Sequence, residues 1–222
     1  PRFWWWSAGA VLVAGAVGRV IDQELWRPSG RRYRSPALVG ILAIAMAAAP
    51  TPAPEPAAAP GSDLYPYTDA EFEAVAVPHI AKWEGLRTTA YLDTIASPPV
   101  WTVCYGETKG VKEGDTYTER QCLEMLAVEV QEYRHGLHQA FTIETKRTRL
   151  TPHRDAAYTS LAYNAGIRAI RNSTATRRLN ADNIEGGCHA LGWYNKAGDR
   201  VIRGLVNRRA EETAMCLRGL DT

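Results

Sequence analysis

Five prolines stand within residues 50–60, with no bulky apolar residue among them. Proline fixes φ and lacks an amide hydrogen, so a run of this density extends as polyproline II and joins no packed core. The stretch 50–62 is a Pro/Ala linker, and what lies on either side of it must fold separately. Upstream, residues 37–49 form an apolar run of thirteen residues, preceded by Arg31, Arg32 and Arg34. That is the basic-then-apolar order of a secretory signal. A membrane-spanning helix needs about 20 apolar residues, and Ala and Gly gain less from lipid than Leu does, so the run is marginal as a permanent anchor. Two outcomes stay open: cleavage at a small-residue triplet such as Ala45-Met46-Ala47, or an uncleaved signal-anchor that later leaves the bilayer.

The expected organisation is therefore an N-terminal apolar segment and basic loop over 1–35, a signal or signal-anchor helix over 36–49, the linker over 50–62, and a folded domain over 63–222. Trp4-Trp5-Trp6 opens the first segment as an interfacial aromatic cluster, and its small residues suit close helix approach. No Met precedes Met46. Residues 1–30 are read either as half of a membrane hairpin or as sequence upstream of the native start.

A net charge of +2 conceals a strong asymmetry. Residues 61–141 hold six basic against thirteen acidic side chains, whereas residues 142–222 hold fourteen basic against eight acidic. The basic third, with Arg168, Arg171, Arg177, Arg178, Arg200, Arg203, Arg208 and Arg209, reads as a solvated helical surface or one that attracts anionic cell-wall polymer or lipid headgroups. No nucleic-acid motif accompanies it, so no nucleic-acid partner is expected. The four cysteines, Cys104, Cys122, Cys188 and Cys216, include no CxxC pair. Behind an export signal an even count suggests two disulfides, with three pairings open. Cys104–Cys122 with Cys188–Cys216 is preferred, because each pair then stays within one presumed lobe; four buried thiols is the alternative. The five histidines form no ligand cluster, and His135 and His138 read as solvated helix positions. Neither a metal nor another cofactor is expected. Ser160 and Ser173 lack the context of a serine nucleophile.

Periodicity and caps predict a helix over 70–83 capped by Thr68 or Asp69, with Pro78 a kink or break. Short strands follow at 90–92 and 100–105. Thr118-Glu119-Arg120-Gln121 is a capping box opening a helix to about residue 141, striped by Leu123, Leu126, Val130, Tyr133 and Leu137. Pro152 suits the first turn of a helix capped by Thr151. Further helices are predicted around 174–180, 184–195 and 200–217. The sum is α+β and mostly helical: a small β-containing lobe, a larger helical lobe, and a cleft between them.

Glu84 and Asp93 stand as Glu-x8-Asp, and Thr102 follows nine residues on. Two carboxyls flanking a glycosidic bond are the usual equipment of a glycosidase. The pattern, with Trp101-Thr102-Val103-Cys104-Tyr105-Gly106, Leu161-Ala162-Tyr163-Asn164-Ala165-Gly166, Ser173-Thr174, Arg178-Leu179-Asn180-Ala181, Gly192-Trp193-Tyr194 and Gly204-Leu205-Val206-Asn207-Arg208-Arg209, resembles the phage-type lysozymes of glycoside hydrolase family 24, in particular the secreted endolysins with an Ala-rich signal-anchor. The chain departs from the family in two places. Eight residues, 94–101, separate Asp93 from Thr102, more than the family usually has, and Glu107 stands where the family often has His.

The resemblance implies a lysozyme-like fold and a muramidase cutting β-1,4 bonds between N-acetylmuramic acid and N-acetylglucosamine. Glu84 would be the general acid; a Glu at a helix end beside Trp83 and partly desolvated suits a proton donor. Asp93 and Thr102 would together position a water, with inversion. Tyr163, Asn164 and Trp193 become cleft-lining candidates for substrate, and Arg208 or Arg209 a partner for Glu84. Turn duty is the plain reading of Asp93, β propensity that of Thr102, and core packing that of the two aromatics. Glu107 and Asp115 are rival carboxylates with the look of loop residues. A lytic transglycosylase, or a non-enzymatic cell-wall-binding or membrane-permeabilising protein, are the alternatives. Peptidoglycan and the bacterial inner membrane are the expected partners, the chain a monomer exported to the periplasm or cell envelope.

Overall fold

The computed structural model describes residues 64–220. The divisions expected over 1–62 lie outside the described residues. Within them, no helix is long and apolar enough to cross a membrane.

Helix α1 (Asp69–Glu84) begins as its sequence dictates. Thr68 accepts the Glu71 amide, and the Glu71 carboxylate takes the Thr68 amide at 2.7 Å, a reciprocal capping box. Phe72, Ala76 and Ile80, one helical turn apart, are buried. The helix continues through Pro78 to Glu84. Strands β1 (Arg87–Asp93) and β2 (Val100–Cys104) follow as an antiparallel pair, irregular between Arg87 and Tyr91.

Helix α2 (Glu119–His138) carries the expected Thr118–Gln121 capping box and buries Leu126, Val130, Tyr133 and Leu137. It ends three residues short of 141, because the Asn180 side chain takes the Thr142 amide and donates to the Ala140 carbonyl, pulling the chain out of helical register. A five-residue π-helical turn, Thr145–Arg149, was not legible in the sequence. Helix α3 (Pro152–Ala165), capped by Thr151, is the centre of the body: every residue from Arg154 to Asn164 is buried. It packs against α1, α2 and the C-terminal helix. A helix enclosed on all sides needs no amphipathic stripe, and this one has small alanines at 156, 157 and 162 where neighbours come close.

Short helices α4 (Ile167–Arg171), α5 (Thr174–Asn180) and α6 (Ile184–Leu191) complete the wall. Gly187 lets α6 meet α5, since a Cβ there would lie 2.7 Å from the Tyr158 hydroxyl and 3.2 Å from the Ala175 carbonyl. The expected helix over 184–195 stops at Leu191. A small hairpin, β3 (Lys196–Ala197) and β4 (Arg200–Val201), turns at Gly198 and leads into α7 (Arg203–Leu217). The disulfides are Cys104–Cys122, tying β2 to α2, and Cys188–Cys216, tying α6 to α7.

Two expectations about charged groups are overturned. Arg208 and Arg209 are fully enclosed, not part of a basic surface. His138 is buried, not solvated, because it belongs to a network centred on Asp155. The Asp155 carboxylate, with no exposed surface, takes bonds from His138 Nε2 at 2.7 Å, Arg134 Nε at 2.6 Å and the Tyr67 hydroxyl at 2.8 Å. His138 Nδ1 meets the Tyr65 hydroxyl at 2.7 Å, and Arg134 reaches on to Asp69. The segment before α1 is thereby locked onto α2 and α3.

Burial alone would raise the Asp155 pKa; His138, Arg134 and the Tyr67 hydroxyl outweigh it and hold the carboxyl below its usual range. The folded protein thus binds this proton more weakly than the unfolded chain. The stabilisation is complete above about pH 4 and is lost as pH falls through the lower folded value. Asp155→Asn should cost about 3–5 kcal/mol at pH 7, leaving Arg134 without its buried counter-charge. Urea unfolding at a series of pH values checks this: the gap from the parent should narrow below about pH 4.

Candidate active site

Glu84 is the last residue of α1 and is buried. Gly85, at φ 73°, donates to the Ala81 carbonyl, ends the helix and turns the chain into β1 two residues later. A side chain there would be strained, which explains glycine at this junction. The carbonyl end of a helix offers a carboxylate no N–H groups. The positive partner comes instead from α7: Arg208 Nη1 donates to Glu84 Oε1 at 2.8 Å.

Arg208 is itself fixed from two sides. Its Nε donates to Glu212 Oε1 at 3.2 Å, and its Nη2 lies near the Ser160 hydroxyl and carbonyl of α3. Ser160 donates to Glu212 at 2.6 Å, and Arg209 pairs with Glu212 at 2.8 Å. Burial opposes the charge on Arg208, but Glu84 and Glu212 outweigh it and raise its pKa. Burial pushes Arg209 down to about 10. The pairing of Arg208 with Glu84 was expected as one of two options. Glu212 was not, although Arg208-x3-Glu212 is the helical spacing that brings two side chains onto one face. Nothing in the sequence points to Ser160.

The hairpin supplies the other two candidates. Asp93 pairs across the ladder with Val100, and Tyr91 with Thr102. Side chains alternate along a strand, so Asp93 and Thr102 share one face of the hairpin, a diagonal step apart. Both are buried. Asp93 Oδ1 takes the Ile95 amide at 2.9 Å, so the residue also opens the lengthened loop as an Asx-turn. The Thr102 hydroxyl donates to the Val100 carbonyl at 3.3 Å. In the loop Ala96 is buried while Ile95 is exposed.

The substrate candidates fall in three different settings. Tyr163 lies in the core, its hydroxyl donating to Glu129 at 2.7 Å and its ring 4.8 Å from that of Tyr133. Asn164 is 3% exposed, and its Nδ2 finds no protein acceptor among the described residues. Trp193 is 58% exposed, with the Arg178 guanidinium over its ring. The rival carboxylates do loop work. Glu107 caps the amides of Thr108 and Lys109, and Asp115 takes the Lys112 amide. The described residues contain no cluster of groups suited to hold a metal ion.

A mostly helical body with a small antiparallel hairpin, a buried Glu at the helix–hairpin junction and an acid and hydroxyl on one hairpin face define a lysozyme-type glycosidase. The chain belongs to the phage lysozyme family, whose model matches residues 81–212. It is 35% identical over 148 residues to the SAR-endolysin of Pseudomonas phage phiKMV, covering 65% of this chain and 87% of that protein. To the SAR-endolysin of Enterobacteria phage P21 it is 34% identical over 137 residues, 61% of this chain and 78% of that one. Among solved structures, the endolysin from Escherichia coli O157:H7 phage FAHEc1 aligns with a TM-score of 0.55 at 30% identity, over 64% of this chain and 90% of that one. P22 lysozyme aligns with a TM-score of 0.56 at 27% identity, over 64% of this chain and 94% of that one.

Arg208→Met should test the clamp on Glu84. It keeps volume but leaves two buried carboxyls without their shared cation, a loss of about 3–5 kcal/mol. Chemical denaturation should show it, with Arg203→Met, on an exposed position, close to the parent.

Proposed function

We propose that the chain is an endo-acting muramidase that hydrolyses the β-1,4 bond between N-acetylmuramic acid and N-acetylglucosamine in peptidoglycan, in host cell lysis. The observation that carries the reading is the Glu84 carboxyl, buried at the junction of helix and hairpin and held by a fully enclosed arginine at 2.8 Å. Such a group is fixed in orientation toward one particular oxygen, as a general acid must be.

Glu84 gives its proton to the glycosidic oxygen as the bond to the anomeric carbon breaks. Asp93, with Thr102 on the same face, holds a water that attacks that carbon from the opposite side and loses its proton to the carboxylate, giving inversion. Asn164 carries the strongest case for substrate contact. A buried amide nitrogen with no acceptor among the described residues suits an acetamido or hydroxyl oxygen of the sugar. Trp193 offers an exposed face to a sugar ring, while buried Tyr163 supports the site by packing. The named SAR-endolysin relatives and the basic-then-apolar run before the linker support export, with the domain 63–222 first tethered to the inner membrane by residues 36–49 and later acting in the periplasm as a monomer.

Glu84→Gln keeps size and hydrogen bonding but removes the transferable proton. It should lower the rate of hydrolysis about 10²–10⁴-fold while circular dichroism stays unchanged. Mass analysis of fragments from purified peptidoglycan should show reducing ends. Anhydro-sugar ends would establish a transglycosylase instead, and a folded Glu84→Gln protein clearing cell walls at the parent rate would leave only a non-catalytic lytic role.

A further inference from the structure

Glu212 takes no part in the chemistry above, yet it is enclosed more completely than Glu84 itself. Its Oε1 takes the Arg208 Nε at 3.2 Å, the Ser160 hydroxyl at 2.6 Å and Arg209 Nη2 at 2.9 Å; its Oε2 lies 2.8 Å from Arg209 Nε. Two carboxyls therefore alternate with two guanidinium groups in one buried cluster, in the order Glu84, Arg208, Glu212, Arg209. A pair of isolated charges would have sufficed to hold Glu84. The second pair changes how much of the Arg208 charge Glu84 experiences.

Other charged groups stand on the elements around Glu84, the Asp93 carboxylate of β1 among them. On α1 itself, His79 is half-buried and Lys82 is exposed in a pair with Glu211 of α7. Burial lowers the pKa of His79, with Glu212 opposing and Arg208 adding to that effect. From β1, Arg87 lies over the Tyr91 ring at 4.4 Å. From α2, Glu129 is tied to Tyr163. Arg134, His138 and Asp155 close among themselves beside the opposite end of α1. Arg208 bonds Glu84 directly, and Glu212 and Arg209 in turn bear on Arg208.

We propose that Glu212 is a positioning residue that, with Arg209 as its counterweight, sets the pH at which Glu84 gives up its proton, acting through Arg208. The inference rests on Glu84 being the general acid. Neutralising Glu212 leaves two guanidinium groups facing one carboxylate; the ionised form of Glu84 gains and its proton is lost at lower pH. Neutralising Arg209 leaves two carboxylates sharing one cation, and the proton is kept to higher pH. Neutralising both restores the balance.

The test is a charge series read in two ways: initial rates on purified peptidoglycan across pH, and ¹³C-carboxyl titration of Glu84 in the intact protein. Glu212→Gln should move the alkaline limb of the rate profile down by about one pH unit, and Arg209→Gln should move it up by about as much. The double variant Glu212→Gln/Arg209→Gln should return close to the parent. A purely structural role would weaken thermal stability without opposite displacements. Single variants that shift the same way, or folded variants whose limb does not move, overturn the proposal. Should Glu212→Gln fail to fold, the direction of the Arg209→Gln shift decides alone. Loss of activity in Glu84→Gln with an unmoved limb in the series sinks this inference and spares the general-acid assignment; an active Glu84→Gln sinks that assignment itself.

Discussion

The ion pair between Arg208 and Glu84 joins residues 124 positions apart in the chain. An arginine with no exposed surface is tolerated only where carboxylates stand ready to match it, since an unpaired buried charge costs several kcal/mol. Helix α7 can therefore dock in one register only, the one that places Arg208 between Glu84 and Glu212. Helix α3 is caught between them and contributes Ser160. The acid at the end of α1 acquires Arg208 as a partner only when the last helix of the domain is seated. Such clusters add little net stability compared with an apolar core. What this one supplies is orientation, and the Cys188–Cys216 bridge, four residues beyond Glu212, holds α7 against α6 near the same place.

The hairpin works by a different rule. Asp93 and Thr102 are brought to one face by ladder register, a local property of two short strands, and need no distant partner. The extra length between them is accommodated as a loop that leaves β1 through the Asp93 Asx-turn. The carboxylate is thereby oriented by its own backbone. The site thus combines one residue fixed by long-range charge with two fixed by local pleat geometry.

That division explains what the sequence disclosed. Caps and periodicity predicted the three long N-terminal helices closely, because Thr68, Thr118 and Thr151 each satisfy orphan amides within three residues of themselves. The hairpin was legible for the same reason. The chain gave no warning of where α2 stops, because a side chain from α5, Asn180, intercepts the backbone there. Nor did it separate the arginines of the last third into surface and interior. Composition counts Arg208 and Arg178 alike, although one lies in a closed cluster and the other over an exposed ring. His138 was misread as solvated because its partner Asp155 lies on another helix. Of the three disulfide pairings left open, the structure has the preferred one, in which each pair stays within one lobe. In general, features closed by neighbours in sequence were readable, and features closed across helices were not.

The anchoring of Tyr65 and Tyr67 has a mechanical meaning. Any tension applied to the chain ahead of residue 64 meets these two side chains before it reaches the Thr68 cap, and their hydroxyls pass it to His138 and Asp155 on α2 and α3. A pull from that side is then borne by α2 and by α3, the most enclosed helix of the body. Helix α1, which carries Glu84 at its far end, thus lies beyond the first anchoring points of the chain that leads into it.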